Sequence, residues 1–426
     1  MENKISFHPK PLINPYIGSP RILVIGGGVT GLVTSWALLD RGYHVTVLAK
    51  EWASYGEGPR LTSQIAGALW EYPPAVCGQH TDIISLHHSR RWCMTAYRIW
   101  DAIAADPELV AVSGVRMKKS AFFFPYAIPD DQVQFQKMLD IEKSGVRGFL
   151  HSASLIQHYG INPSHVVADA YELLAPIIDT DQAMTWLMDL VESKGATFVT
   201  ETIHGDIFDH ELELRQRFHA DVIINATGLA GYETAGDASC YPIRGGLVRV
   251  INDGVGFPRV DAALSISADA GYGANEIVFI VPRSDRVLLL GGISEPHQWD
   301  LDHRLDTPII QRMRERCEDF LPVLKNAQLD PDYPLAQGLR PFRGSNVRVE
   351  RELRRHGDAS TPLGAAVSRI VHNYGHGGAG WSLSFGCAED VLHLVEEALN
   401  DLPPRPMTLD GRNYKSIPDR KDMARL

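Results

Sequence analysis

Along this chain the apolar positions switch between two rhythms. Residues 21–25 form a short β-branched run, residues 31–39 carry an apolar stripe at helical spacing, and residues 44–48 return to a second β run. Together they predict a strand–helix–strand unit. The alternation recurs twice. Residues 180–194 read as a helix with Trp186, Leu187, Leu190 and Val191 on one face, followed by strand patterns at 197–199 and 221–226. Further on, residues 370–373 lead through a glycine-rich loop to a helix over 388–399. Between these blocks, over 76–165 and 246–330, aromatics, prolines and alternating runs such as 277–281 and 287–290 predict strands of a mixed or antiparallel sheet. Trp92 and Trp100 stand at helical spacing, and Phe122-Phe123-Phe124 reads as a buried strand. The economical architecture is an α/β unit assembled from separated segments, with a sheet domain inserted twice.

The first turn carries the strongest chemistry. Gly26, Gly28 and Gly31 fit GxGxxG between a predicted strand and a predicted helix. The first glycine permits the tight turn, the second lets backbone approach a pyrophosphate, and the third lets helix pack close to strand. Val29 and Thr30 lie within the turn, and the helix that follows offers free N–H groups and a positive end that stabilise phosphates. The second strand ends Leu48-Ala49-Lys50-Glu51, with Lys50 where an acid for the ribose hydroxyls is common. Gly375 to Gly380 is formally a second GxGxxG, but no strand–helix–strand continuation follows it, which argues against a second nicotinamide site.

Charge and cysteine usage narrow the partners. A formal net charge of -11 disfavours nucleic acid and anionic membrane. The pairs Arg90-Arg91 and Arg354-Arg355 are too short to make a basic stripe. No apolar run approaches the ~20 residues of a transmembrane helix, and residues 1–20, with Pro9, Pro11 and Pro15, read as an irregular arm. Cys77, Cys93, Cys240, Cys317 and Cys387 are scattered without a CxxC pair, which points to a reducing compartment rather than a disulfide or zinc framework. Ala424-Arg425-Leu426 has the small–basic–leucine pattern of a peroxisomal import signal, expected to act only in a eukaryote; otherwise a cytoplasmic location is expected.

Five stretches then share one resemblance. They are Arg60 to Trp70, with Thr62, Ser63, Ala66, Gly67, Ala68 and Leu69; Asn225-Ala226-Thr227-Gly228-Leu229 with Gly236-Asp237; Tyr241-Pro242-Ile243-Arg244-Gly245-Gly246; Gly338-Leu339-Arg340-Pro341-Phe342-Arg343 with Val347-Arg348-Val349-Glu350; and His372 to Trp381 with Gly386-Cys387-Ala388. In order and spacing they resemble the motifs of the D-amino-acid oxidase family of FAD-dependent oxidoreductases. The resemblance implies an α/β fold. A Rossmann-like FAD-binding domain would be discontinuous over 21–75, 166–245 and 331–400. A mixed or antiparallel sheet substrate domain would be inserted over 76–165 and 246–330, with 1–20 as an arm and 401–426 as a tail. In that family the second strand often ends in Ala-Arg, which accounts for Ala49-Lys50.

The same resemblance implies the activity. A D-amino acid would lose its Cα hydrogen as hydride to flavin N5, and oxygen would reoxidise the flavin to give hydrogen peroxide. Arg340 would hold the substrate carboxylate, since a planar guanidinium binds it bidentately; the plainer alternative is a structural salt bridge with Glu350 or Glu352. The Gly378 carbonyl would receive the amine. Gly228, Gly375, His376, Gly377, Gly378, Ala379, Gly380, Trp381 and Ser382 would complete the FAD site, the last helix N-terminus stabilising negative charge near flavin N1. The sequence departs from the family at Phe279, where a tyrosine hydroxyl is usual, and at Ala379, where an aromatic is usual. Tyr272 is the candidate to supply the missing hydroxyl. The alternatives are a flavin amine oxidase for a specialised or N-substituted amino acid or amine, and a flavin dehydrogenase using an acceptor other than oxygen. A binding module without redox chemistry would need both glycine loops empty. A homodimer is compatible with these patterns without being required by them.

Overall fold

The computed structural model describes residues 1, 5–55, 60–74, 82–266, 277–357, 366–405 and 407. Two sheets organise the chain. The first has six strands in the order Arg348–Arg351, Ile370–Tyr374, Val222–Asn225, Arg21–Ile25, His44–Ala49, Thr197–Thr200. All neighbours run parallel except the Arg348–Arg351 edge. Arg21–Ile25 lies between His44–Ala49 and Val222–Asn225, so the strand order reverses beside it. In open α/β sheets ligands bind at the carboxyl ends of strands at such a point. Residues 23–25 and 222–225 are buried β-branched and apolar residues closed by Asn225, as expected of strands covered on both faces.

The second sheet has nine strands and is mostly antiparallel. Its spine is the long strand Cys240–Ile251, which pairs with Leu335–Arg343, with Val287–Gly291 and, at Arg244 and Ile243, with Glu295–Pro296. Val278–Pro282, Ala263–Ile266, Val115–Phe124, Asp169–Ile178 and Leu150–His151 continue it. The partition by sheets departs from the expected segment boundaries. Asp169–Ile178 and Leu335–Arg343, both expected with the cofactor segments, belong to this second sheet, and Cys240–Ile251 runs through the expected boundary at 245/246.

Helices correct the reading of 76–165 as mainly strand. Ile83–Ala104, Pro107–Ser113 and Gln132–Lys143 are helical, and among the described residues of that stretch only Val115–Phe124 and Leu150–His151 are strands. Asp82 starts the first of these helices by accepting the Ser85 N–H at 2.8 Å. Its buried face, from His88 through Trp92, Ala96, Tyr97, Trp100 and Ile103, follows the helical period. It packs on the helix Gly380–Leu399, which begins eight residues before the expected 388. A side chain at Gly386 would put its Cβ 2.1 Å from the Trp92 Cα, so only glycine lets these two helices approach. Across the contact Asp390 accepts from the Trp92 indole at 2.8 Å and from Arg91 at 2.6 Å.

The N-terminal arm is irregular but anchored. Asp40, buried at the end of the helix Val29–Asp40, accepts the backbone N–H of Ser6 and Leu12, the Trp36 indole and the Lys194 ammonium. A buried carboxylate needs that many donors to offset its desolvation. The described cysteines, Cys93, Cys240, Cys317 and Cys387, are buried thiols outside any disulfide; Cys77 lies outside the described residues. Among the described residues no helix is long and apolar enough to cross a membrane, and no cluster of His, Cys, Asp or Glu is arranged to hold a metal ion.

Candidate active site

At the switch point the glycines act through contact rather than composition. Gly26 adopts φ +129°, and a Cβ there would lie 2.3 Å from the Ala226 carbonyl oxygen. A Cβ at Gly31 would lie 1.9 Å from the Gly26 carbonyl oxygen, so strand and helix touch backbone to backbone. Gly28 caps Val29–Asp40 without a side-chain acceptor, and the Val29 N–H is taken by the Ser63 hydroxyl at 3.0 Å. Thr30 follows in the same first turn, leaving a helix N-terminus suited to phosphate. Beyond the second strand, Ala49 is buried and Lys50 exposed. Trp52 closes this edge: its ring would touch a Cβ at Gly27, stacks on Phe198 at 4.8 Å, and donates to Thr200.

A second glycine turn faces the first. The strand Ile370–Tyr374 leads through Gly375, His376, Gly377 and Gly378 into the helix Gly380–Leu399, whose cap, Ala379, also lacks a side-chain hydrogen bond. Gly380 sits against Val29, so the two helix N-termini are neighbours. Gly375 and Gly377 have positive φ, and side chains there would collide with Arg343 and Phe342. The Gly377 N–H donates to Pro341 O at 2.9 Å, tying the turn to the second sheet. Gly378 alone is exposed in the otherwise buried run 370–379. Burial pushes His376 down to about 4, leaving it neutral, and its Nε2 finds no hydrogen-bond partner. Trp381 donates its indole N–H to Ser63 O at 2.9 Å, and Ser382 is buried beside it. Gly228, at φ +62°, approaches Pro341 from the neighbouring strand turn.

The segment from Arg60 to Trp70 bridges the two sheets. Thr62 donates to Leu339 O at 3.1 Å, and Leu69 forms a bridge with Ile177. Arg283, just past the strand Val278–Pro282, donates to Gln64 O and Ala66 O, each at 2.7 Å, and lies near Asp179 and Asp181. Ala68 holds φ 47°, a left-handed conformation uncommon outside glycine. Gly67 is fixed by a neighbour: a Cβ there would lie 2.3 Å from Phe279 Cζ. The Phe279 ring therefore lies on the bridging segment.

Arg340 stands on Leu335–Arg343, one strand from Ile243. Its guanidinium lies over Gly245, where a Cβ would come within 2.5–2.7 Å of its nitrogens and central carbon, and Nη1 donates to Ile293 O at 3.1 Å. Arg340 retains some exposed surface, yet burial of the charge pushes it down to about 10, with no acid to offset the loss of solvent. The acids expected as structural partners are engaged elsewhere, Glu350 with Arg348 and Glu352 with Arg354 and His372. Among the described residues no carboxylate pairs with Arg340.

The geometry thus brings together Gly26, Gly28, Ser63, Thr62, Gly377, Gly380 and, across Pro341 and Leu339, the strand of Arg340. Tyr272 and the tripeptide Ala424-Arg425-Leu426 lie outside the described residues. Trp52, Gly245 and Arg283 carry no distinguishing signal in the sequence, although Gly245 falls within the Tyr241 to Gly246 stretch. A cavity of ≈ 890 Å³ lies elsewhere, lined by Phe7, Leu109, Trp186 and Arg283 among others. Its polar groups Asp179, Asp181 and Arg249 are already paired with one another's neighbours, so it does not mark the chemistry.

An open α/β sheet with two glycine turns and two adjoining uncapped helix N-termini defines a dinucleotide-binding protein with a second sheet set over its ligand edge. The comparisons specify it further: residues 21–394 match the model of the DAO family, described as FAD dependent oxidoreductase, and the chain belongs to that family. It is 30% identical over 387 residues to a D-amino-acid oxidase of Rubrobacter xylanophilus, covering 89% of this chain and 97% of that one. A D-amino-acid oxidase of Streptomyces coelicolor is 29% identical over 376 residues, covering 88% and 96%. Among solved structures, glycine oxidase from Geobacillus kaustophilus has the same fold, with TM-score 0.64 at 18% identity over 89% of this chain and 95% of that one. The residues fit FAD. The glycine cradle at Gly26 and Gly28, the exposed Gly378 and the unpartnered His376 Nε2 are features that a bound flavin dinucleotide would cover. The protein is an FAD-dependent oxidoreductase.

Proposed function

We propose that this enzyme oxidatively deaminates a D-amino acid to the 2-oxo acid, with oxygen as the final acceptor. The observation that carries the reading is Arg340, a buried guanidinium with no carboxylate partner among the described residues, beside the glycine turns. Bound FAD would supply the hydride acceptor and return the electrons to oxygen as hydrogen peroxide. Gly26, Gly28, Val29, Thr30, Gly31, Ala49, Lys50, Thr62, Ser63, Ala66 to Leu69, Gly228 and Gly375 to Ser382 would hold it.

The chain's own residues orient the substrate. Arg340 presents its fork to the carboxylate, and each hydrogen bond to a charged group contributes roughly 1.5–3 kcal/mol. Gly378 is exposed in a buried run, and its carbonyl would accept from the amine. Two fixed points on Cα select which face meets the acceptor, which is rate enhancement through positioning. Phe279 lies against Gly67 and contributes an apolar wall without a hydroxyl. No protein acid or base is required, since the amine deprotonates before hydride leaves.

Anaerobic mixing of the purified holoenzyme with D- and L-amino acids, following oxidised-flavin absorbance, tests the reading. Bleaching by D-isomers is the expected result, and peroxide in air separates an oxidase from a dehydrogenase. A yellow enzyme that no amino acid bleaches would overturn it and direct the search to N-substituted amino acids and secondary amines.

A further inference from the structure

Three consecutive carbonyls, at Gly291, Gly292 and Ile293, each receive a side-chain donor, two from one helix and the third from a strand. Cys317 donates to Gly291 O at 3.2 Å, Arg316 to Gly292 O at 2.9 Å, and Arg340 to Ile293 O at 3.1 Å. Cys317 and Arg316 belong to the helix Pro308–Phe320, so the turn is gripped on one side by a rigid element and on the other holds the guanidinium. The chain then enters the short strand Glu295–Pro296, which pairs with Arg244 and Ile243. Ile243 is also the cross-strand partner of Arg340. The carbonyl that orients Arg340 is thus two residues from Glu295.

Glu295 is the centre of a brace that touches neither the glycine turns nor Arg340. Its Oε2 accepts from Arg244 Nε at 2.9 Å and lies 2.7 Å from His303 Nε2. Arg244 also donates to Asp300 O at 2.8 Å and to Asp302. His303 is locked by Gln337, its N–H donating to Gln337 Oε1 at 3.0 Å and its carbonyl accepting Gln337 Nε2 at 2.8 Å. Gln337 lies on the strand of Arg340, three residues before it. The 294–303 loop is therefore closed on both flanks of Arg340. Burial alone would raise the Glu295 carboxyl, yet Arg244 and His303 hold it below its usual value, so it stays ionised. Such closure has a chemical purpose where a single hydrogen bond, Ile293 O to Arg340, fixes a clamp. Catalytic geometry is kept only when the supporting groups are themselves fixed.

We infer that Glu295, with His303 and Gln337, is a positioning residue for Arg340: it fixes the Ile293 carbonyl and so the angle at which the guanidinium meets a substrate carboxylate. This rests on the proposed role of Arg340 in carboxylate binding. Misplacement by about 1 Å can cost up to ~10²-fold, and loss of one support among several is expected at roughly ten-fold.

The test uses the FAD-loaded enzyme and the best D-amino acid from the panel. Glu295→Ala should raise KM roughly ten-fold with kcat changed less than about two-fold, while flavin retention on gel filtration is unchanged. Glu295→Gln, which keeps an acceptor, should recover much of the loss. Because Glu295→Ala could destabilise the loop itself, Gln337→Leu provides an independent route to the same KM shift. As a readout apart from turnover, the dissociation constant of a non-reactive carboxylate such as acetate, followed by flavin absorbance, should weaken in parallel with KM. A fall in kcat with unchanged KM and unchanged acetate affinity in both variants would overturn the inference. Wild-type enzyme that binds no carboxylate would overturn the reading beneath it, and the inference with it.

Discussion

Two arginines on the nine-stranded sheet are taken out of water, and their surroundings differ. Arg283 is 3% exposed and lies near Asp179 and Asp181, with Gln64 O and Ala66 O accepting its N–H groups. Arg340 has one carbonyl, Ile293 O, and no acid among the described residues. Burial lowers both guanidinium groups, but at Arg283 nearby acids oppose the shift and at Arg340 nothing does. A buried charge left without a counter-ion costs stability. The region around Arg283 is therefore built to hold the fold, clamping the 64–66 segment to the second sheet. The region around Arg340 leaves its charge without a counter-ion among the described residues, which is the feature the proposed carboxylate site rests on.

The sharpest way to break the comparison is to remove each charge. Arg340→Met should lower kcat/KM for carboxylate substrates roughly 10²–10⁴-fold, the equivalent of two charged hydrogen bonds. It should also raise the melting temperature of the protein without substrate. The sign follows from linkage: Arg340 is lowered to about 10, so its penalty is full below that pH and is relieved as pH rises through it. The stability gap between variant and wild type should then stay level from pH 7 to pH 9 and begin to narrow only above about pH 10, toward the ordinary arginine value. A variant melting below wild type at pH 8 would mean that Arg340 is structural.

Arg283→Met should do the reverse. It strips two carbonyls of their donor and leaves Asp179 and Asp181 with less positive charge, a loss of about 3–5 kcal/mol by analogy with other broken buried pairs. Denaturant unfolding would report it, together with release of FAD as the Thr62–Leu69 segment loosens. Full stability with lost turnover would erase the distinction between the two arginines.

The two regions also differ in how far they can be read from sequence. The glycine turns are legible because their constraints are local: Gly26 and Gly31 meet within five residues, and the motif spacing encodes that contact. Arg283 is illegible for the opposite reason, since its partners Gln64 and Ala66 are more than 200 residues away and nothing nearby marks them. The helix Gly380–Leu399 was placed eight residues late because Gly380 and Gly386 weigh against helix by propensity. Packing against Trp92 overrides that preference and demands the glycine. In Ile83–Ala104 the spacing of Trp92 and Trp100 signals helix, but the full extent is hidden because Ser85, His88 and Ser89 occupy buried positions and break the apolar stripe. The sheet that Asp169–Ile178 joins is not legible because strand pattern alone does not say which sheet a strand enters; its ten-residue register with Val115–Phe124 decides that.

A gentler perturbation probes the seat of Arg340. Gly245→Ala places a methyl within 2.5–2.7 Å of the guanidinium. The side chain can shift aside at modest cost, so folding should survive while KM rises about ten-fold. Denaturant midpoints close to wild type would confine the effect to the clamp. An unchanged KM would mean that the angle set by Gly245 and Ile293 O does not matter to binding.

The smallest effect is expected at Phe279. A tyrosine there would restore the hydroxyl usual in the family, and on chemistry alone that should tighten carboxylate binding. Geometry argues otherwise. Phe279 Cζ is the atom that a Cβ on Gly67 would meet at 2.3 Å, so the para position already lies on the bridging segment. A hydroxyl added at that carbon has to displace Gly67 or turn the ring, an overpacking that costs typically 1–3 kcal/mol. Phe279→Tyr is therefore expected to leave KM within about two-fold of wild type and to lower stability by about 1 kcal/mol. A KM several-fold lower would show that the ring swings toward the substrate when the flavin is bound, and Arg340 would then share the carboxylate instead of holding it alone.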